Sequence, residues 1–195
     1  MARLNTSDAR KTKKILEEVR QKDEEFARLL RGRRLVKLQY GQSSAVFAAG
    51  KDMVAKLTIS SIDCAYAEKL YQQGKVIGWP EVFAYARVVF KGHEKACVML
   101  AERCTESLDL SDRKARRLDA AVALVEVWFG YDGRRPLNAL EDWFRLDEEQ
   151  RKWAKQLTQG LVAIDRLREN VDLDTFNGNY GLDAYGNAVW IDYGI

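Results

Sequence analysis

The hydrophobic period of this chain changes along its length, and that change limits what it can fold into. Over LVKLQYG (35–41), AVFAAG (45–50) and MVAKLTI (53–59), apolar and polar residues alternate as they do in half-buried strands. GKD (50–52) has the composition of a hairpin turn between the second and third. IDCAYAEKLYQQ (62–73) then predicts one short helix ended by Gly74, and YARVVF and KACVMLAE predict two more strands joined by KGHE. Helical spacing takes over beyond residue 103. Leu118, Val122, Val125 and Trp128 predict a helix over 111–129, opened by Ser111. After a loop holding Gly130, Gly133 and Pro136 comes a short segment at 137–144. A longer helix over 147–168 follows, with Trp153, Leu157, Leu161, Ile164 and Leu167 on one face. The chain closes with a loop at 170–179 and a hairpin, GLDAYGNAVWID, turning at Tyr185-Gly186-Asn187. Upstream of the strands, Ile15, Val19, Phe26 and Leu30 predict one amphipathic helix over 7–31, capped by Ser7 or Asp8 and stopped by Gly32.

These patterns predict an α+β chain in three parts: an N-terminal helical extension (1–34), a mainly antiparallel lobe (35–103) and a mainly helical lobe (104–195). A chain of 195 residues with 47% apolar residues, 5 Trp, 8 Tyr and 7 Phe can bury a sizeable core. Basic and acidic residues nearly balance, 32 against 29, too mild an excess to argue for nucleic-acid binding. The basic clusters at the two ends of the first helix, KTKK and RGRR, are expected to be solvated. Cys64, Cys97 and Cys104 form no Cys-x-x-Cys pattern and have no nearby histidine. They are expected to be reduced thiols, not disulfides or zinc ligands. No apolar run is long enough for a signal peptide or a membrane span, so the expectation is a soluble cytoplasmic protein. His93 falls in a turn without a second histidine, and the tryptophans at 128, 143 and 153 are expected in the core.

The last 25 residues, VDLDTFNGNYGLDAYGNAVWIDYGI, carry the densest chemistry. Asp174 precedes Asn179 by five residues, and Asp192-Tyr193-Gly194 begins 13 residues after Asn179. An alternative register, Asp172 with Asn177, keeps the five-residue spacing but lengthens the second interval to 15. The Asp174 register resembles the catalytic loop and metal-binding motif of the protein kinases, H-R-D-x-x-x-x-N followed by D-F-G. The resemblance implies that Asp174 orients and accepts the proton of an attacking hydroxyl. It also implies that Asn179 and Asp192 are the oxygen ligands of Mg²⁺, which takes few protein ligands beside phosphate and water.

Upstream stretches extend the resemblance, in kinase order, over about 35–194. LQYGQSSAVF (38–47) is similar to the kinase glycine-rich loop, with Gly41 at the second glycine position and Ser43 and Ser44 as small polar residues facing phosphate. Val54-Ala55-Lys56 resembles the third strand whose lysine contacts the ATP phosphates, and Glu68 stands where its helical partner is expected. Met99-Leu100-Ala101-Glu102 is similar to the hinge whose backbone holds adenine, which implies nucleotide contacts at Leu100 and Glu102.

Taken together the chain resembles a minimal two-lobed protein-kinase-like fold, closest in layout to the early serine/threonine kinases of lytic bacteriophages. That implies ATP and Mg²⁺ as cofactors, a host protein as substrate or target, and action in the host bacterial cytoplasm. Three departures qualify it. Asp172-Leu173 replaces H-R, two glycines of the nucleotide loop are Gln39 and Ser44, and no activation segment follows Ile195 in this sequence. A protein substrate is therefore expected to dock elsewhere, on the 130–146 insert or the basic N-terminal helix. A catalytically inactive kinase-like binder of a host protein and a small-molecule phosphotransferase are the alternatives.

Overall fold

Five strands build one antiparallel sheet: Leu35–Tyr40 (β1), Ser44–Ala49 (β2), Met53–Thr58 (β3), Val82–Phe90 (β4) and His93–Glu102 (β5). Their spatial order is β1-β2-β3-β5-β4, because the helix Ser61–Gln73 (α3) intervenes after β3 and β5 returns between β3 and β4. The computed structural model describes residues 9–40, 43–129, 142–165 and 179–191. The chain divides into two units, Met1–Lys75 with Glu81–Arg103 and Val76–Pro80 with Cys104–Ile195.

Because alternate strand residues point to opposite sides, the sheet has two chemically distinct faces. Ala45, Phe47 and Ala49 of β2, Met53, Ala55 and Leu57 of β3, and Ala96, Val98 and Leu100 of β5 belong to one apolar core. Two N-terminal helices cover that face, Ala9–Lys22 (α1) and Glu24–Leu29 (α2), contributing Leu16, Val19, Phe26 and Leu30. The single helix expected over 7–31 is thus two. Asp23 takes extended dihedrals (φ −116°, ψ 117°), and its carboxylate accepts from the N–H groups of Glu25 and Phe26, capping a new helix. The break re-aims Phe26 and Leu30 so that both become fully buried. Each such side chain contributes about 1.5–3 kcal/mol on burial.

The opposite face is mixed. Gln39, Val46, Lys56, Met99 and Tyr85 stand opposite one another in a row across it, and Ser44, Thr58, Cys97 and Arg87 form the next. The helix α3 packs against β4 and β5.

In the second unit, Asp112–Phe129 (α4) packs on Glu148–Asp165 (α5). Asp147 and Gln150 bond each other's backbone N–H groups at the start of α5, a reciprocal cap. A three-stranded sheet, Thr105–Glu106 (β6), Tyr180–Leu182 (β7) and Ala188–Trp190 (β8), completes it. The sequence did not reveal β6, since two residues carry no period. Segment 76–80 lies against α5, where Gly78 (φ 83°) leaves no room for a side chain: a Cβ there would meet the Gln156 carbonyl oxygen at 2.4 Å. The indole N–H of Trp79 donates to Gly160 O, that of Trp153 to Gly186 O and that of Trp190 to Leu157 O. Trp153 is core, as its spacing predicts. Trp128 and Trp143 are not: they form a tilted pair at 5.4 Å with Trp128 38% exposed, and Arg151 and Lys155 lie over the Trp143 ring.

Candidate functional site

Lys56 is the residue around which the candidate cluster of the first unit is built. It sits in the middle of the sheet, opposite Val46 on β2 and Met99 on β5, and only 9% of it is exposed. A buried ammonium needs a compensating charge. Asp63, 4% exposed, supplies it with Oδ2 3.6 Å from Lys56 Nζ. That distance exceeds hydrogen-bond length, so the contact is one of charge. The Asp63 carboxylate is itself held by hydroxyls. Ser60 Oγ donates to Oδ1 at 3.0 Å, and Thr58 Oγ1 lies 3.1 Å from Oδ2. Ser60 is also the N-cap of α3 and accepts from the Asp63 N–H, so one serine starts the helix and orients its carboxylate.

This corrects an expectation from the sequence. Glu68 does not meet Lys56; it pairs with Arg87 of β4, whose side chain is 70% exposed. The physical reason is helical phase. Glu68 lies five residues beyond Asp63, about 140° around the helix and roughly 7.5 Å along it. Asp63, Thr58 and Ser60 were missed as site residues, although Ser60-x-x-Asp63 carries the capping signature that would have flagged them.

The turn between β1 and β2 reaches the same cluster through backbone. The Ser43 carbonyl accepts from the Ile59 N–H at 2.8 Å and lies 3.2 Å from Thr58 Oγ1. Ser43 therefore stands at the turn, whereas Ser44 is already the first residue of β2, buried opposite Thr58. Gly41 lies outside the described residues.

Leu100 requires a second correction. Leu100 is fully buried in β5, opposite Ala55 on one side and Ala84 on the other, and its side chain lies in the apolar core. A residue of a central strand spends its backbone groups on its neighbours, so Leu100 cannot offer them to a base. Glu102 ends the strand. Its N–H donates to Glu81 O, and its carboxylate pairs with Lys75. The chain leaves this unit only after Arg103, one residue beyond the stretch read as a hinge.

Close to Lys56, Cys97 and Cys64 are buried, and no disulfide joins any of the three cysteines. The hydrogen bond to Cys64, reinforced by burial, pushes the Cys97 thiol far up. Burial, with the neighbouring Cys97, Cys64 and Glu68, pushes the Tyr85 hydroxyl up to about 12, against an opposing contribution from Arg87.

A separate candidate cluster lies in the β7–β8 hairpin of the second unit. Asp183 closes its turn, accepting from the N–H groups of Tyr185 and Asn187 and from the Asn187 side-chain amide. Tyr180 stands opposite Trp190, so the residues just outside the hairpin meet: the Ile191 N–H donates to the Asn179 carbonyl at 2.7 Å. Asn179 is thus bonded to the chain neighbour of Asp192. The Tyr180 hydroxyl donates to Asp119 of α4 at 2.8 Å; burial first, then this bond, raises its pKa. Asp192 and Asp174, like the alternative pair Asp172 and Asn177, lie outside the described residues. An amide and a carboxylate are the hard oxygen donors Mg²⁺ takes. Among the described residues no group of three or more His, Cys, Asp or Glu could hold a metal, and no helix is long and apolar enough to cross a membrane.

No protein-family model matches the chain, and no curated protein matches it in sequence. Among solved structures, it is similar to the aminoglycoside phosphotransferase APH(4)-Ia in its ternary complex with AMP-PNP and hygromycin B. The TM-score is 0.39 and the identity 13%, over 82% of this chain and 66% of that one. It is also similar to the spectinomycin phosphotransferase APH(9)-Ia in complex with ADP and spectinomycin, with a TM-score of 0.37 and 10% identity over 82% of this chain and 62% of that one. The match thus spans less than two thirds of those chains.

Proposed function

We propose that this chain is a kinase-like phosphotransferase that uses ATP with Mg²⁺, of the serine/threonine protein-kinase type and acting on host proteins as the phage enzymes do. One observation carries the reading: a lysine ammonium is buried in the centre of a sheet beside a buried carboxylate. A buried ion pair adds little stability over a well-packed apolar pair. An anionic ligand gives the charge a use, and Lys56 stands at the strand position where kinase-like sequences bind phosphate.

In this reading Lys56 holds the phosphates, and the backbone around Ser43 and Gly41 lines the approach to them. Asn179 and Asp192 hold Mg²⁺, which when bound neutralises charge on the transferred phosphoryl group. Asp174 orients the nucleophilic hydroxyl and takes its proton as the new O–P bond forms and the bond from the γ-phosphorus to the β–γ bridging oxygen breaks, with ADP leaving.

The test is thermal unfolding of the full chain with and without Mg²⁺ and ATP, for wild type and Asp192→Asn. Ligand at 100 times its Kd stabilises by about 2.7 kcal/mol, a rise of roughly 5–11 °C for this chain length. A magnesium-dependent rise lost in Asp192→Asn is the expected result; no rise at millimolar nucleotide rejects the reading. Transfer of label from γ-labelled ATP in a bacterial extract then separates the alternatives. Label in protein, abolished by Asp174→Ala, supports the protein kinase. Label in a small molecule gives the other phosphotransferase, and nucleotide binding without transfer gives the inactive binder.

A further inference from the structure

We infer that Asp63, not Glu68, is the positioning residue for Lys56, and that its clasp is built into the β3–α3 corner and does not depend on where the rest of α3 lies. The inference rests on the nucleotide reading above and deepens it.

Three features of the corner lead here. The pair is local, since Lys56 and Asp63 are seven residues apart and Thr58 and Ser60 lie between them. The carboxylate is orientated twice over, by hydroxyls of the strand end and of the helix cap, while its own N–H bonds back to Ser60. An acidic residue in the first turn also faces the positive end of the helix, which favours its charge. Ser43 joins the same corner through its carbonyl, so the turn expected to face phosphate and the lysine expected to hold it share one support.

Glu68 does different work. With Arg87 it ties the middle of α3 to the edge strand β4, in a partly exposed pair that contributes little. In protein kinases the lysine's partner glutamate lies along the helix, so movement of the helix switches the pair on and off. Here the partner is in the first turn, beside the cap, and a swing of the far end of α3 would move Glu68 while leaving Asp63 in place. Lys56 is therefore held ready whether or not a regulator engages α3.

The experiment is calorimetric binding of Mg²⁺·ATP and of adenosine to the full chain, in wild type, Asp63→Asn, Asp63→Glu and Glu68→Gln. Adenosine has no phosphate for Lys56 to hold, so it reports the integrity of the fold around the base. Loss of one charge-assisted contact corresponds to a drop of about tenfold or more in affinity. The expected result is that drop for ATP but not adenosine in Asp63→Asn, a smaller drop in Asp63→Glu, and both ligands unchanged in Glu68→Gln. Equal losses for ATP and adenosine in Asp63→Asn would make Asp63 merely structural and overturn the inference. If Asp63→Asn does not fold, Glu68→Gln still decides, because its pair is partly exposed: selective loss of ATP there assigns the role to Glu68. Wild type that binds ATP with Asp63→Asn unaffected rejects this inference alone. Wild type that binds neither ligand rejects the nucleotide reading and this inference with it.

Discussion

The two faces of the five-stranded sheet are made from the same strands, yet they answer to different demands. One is apolar from β2 to β4 and is sealed by α1 and α2, with Phe26, Leu16 and Leu30 fully buried. The other, one residue out of phase along each strand, carries Lys56, Thr58, Cys97 and Tyr85 and is closed in part by the polar first turn of α3. The first face is a source of stability, since apolar burial is favourable without orientation. The second buries a charge and hydroxyls that must each find a partner, which contributes little net stability but fixes geometry. Substitutions on the two faces should therefore separate stability from ligand binding.

Phe26→Ala tests this most severely. It should lower unfolding stability by about 3–5 kcal/mol, read from urea titration, while folded protein at low temperature keeps its ATP affinity. Loss of affinity in step with stability would show that the two faces are not independent. Ser60→Ala is the intermediate case. Removing the cap should cost about 1 kcal/mol of stability and, by releasing Asp63, weaken ATP roughly fivefold, a change in binding that Phe26→Ala should not produce. An effect on stability alone would confine Ser60 to helix capping.

Tyr85→Phe is the mildest change, and it is read from the pH dependence of stability in alkali. Burial raises the tyrosine from 10 to about 12 in the folded protein. Below the unfolded value both states keep the proton, so stability is unaffected there. As pH rises from about 10 to about 12 the unfolded chain ionises first, and the folded state loses stability. Unfolding midpoints of wild type should fall more steeply over that window than those of Tyr85→Phe. Parallel curves would mean that the hydroxyl is not buried in solution.

Much of this architecture was legible in the residues. Alternation over 35–59 marked three strands because a half-buried strand exposes every second side chain, and Gly74 marked the end of α3. Tyr185-Gly186-Asn187 marked the last hairpin, because Gly186 takes the left-handed turn conformation (φ 78°) without strain. The candidate lysine was legible from Val54-Ala55-Lys56. Its partner was not. Two carboxylates follow on the same helix, and only the rotation of α3 about its axis decides which one reaches β3. The N-terminal helix was legible as amphipathic, but its break at Asp23 depends on a cap that becomes worthwhile when Phe26 has a core to enter.

The stretch 99–102 shows where the division falls. Its residues read equally well as the end of a strand or as a hinge, since both are apolar and extended. Strand order decides for Leu100: β5 lies between β3 and β4, so its backbone faces a neighbouring strand and is spent on the ladder. By itself the sequence determined most of the elements, their order and the chemical types available, because period, turn residues and caps act over a few positions. Only the tertiary structure decided which face α1 and α2 cover, which carboxylate holds Lys56 and which strand is central. Those depend on the rotation and pairing of elements distant in the chain, which local residue patterns do not encode.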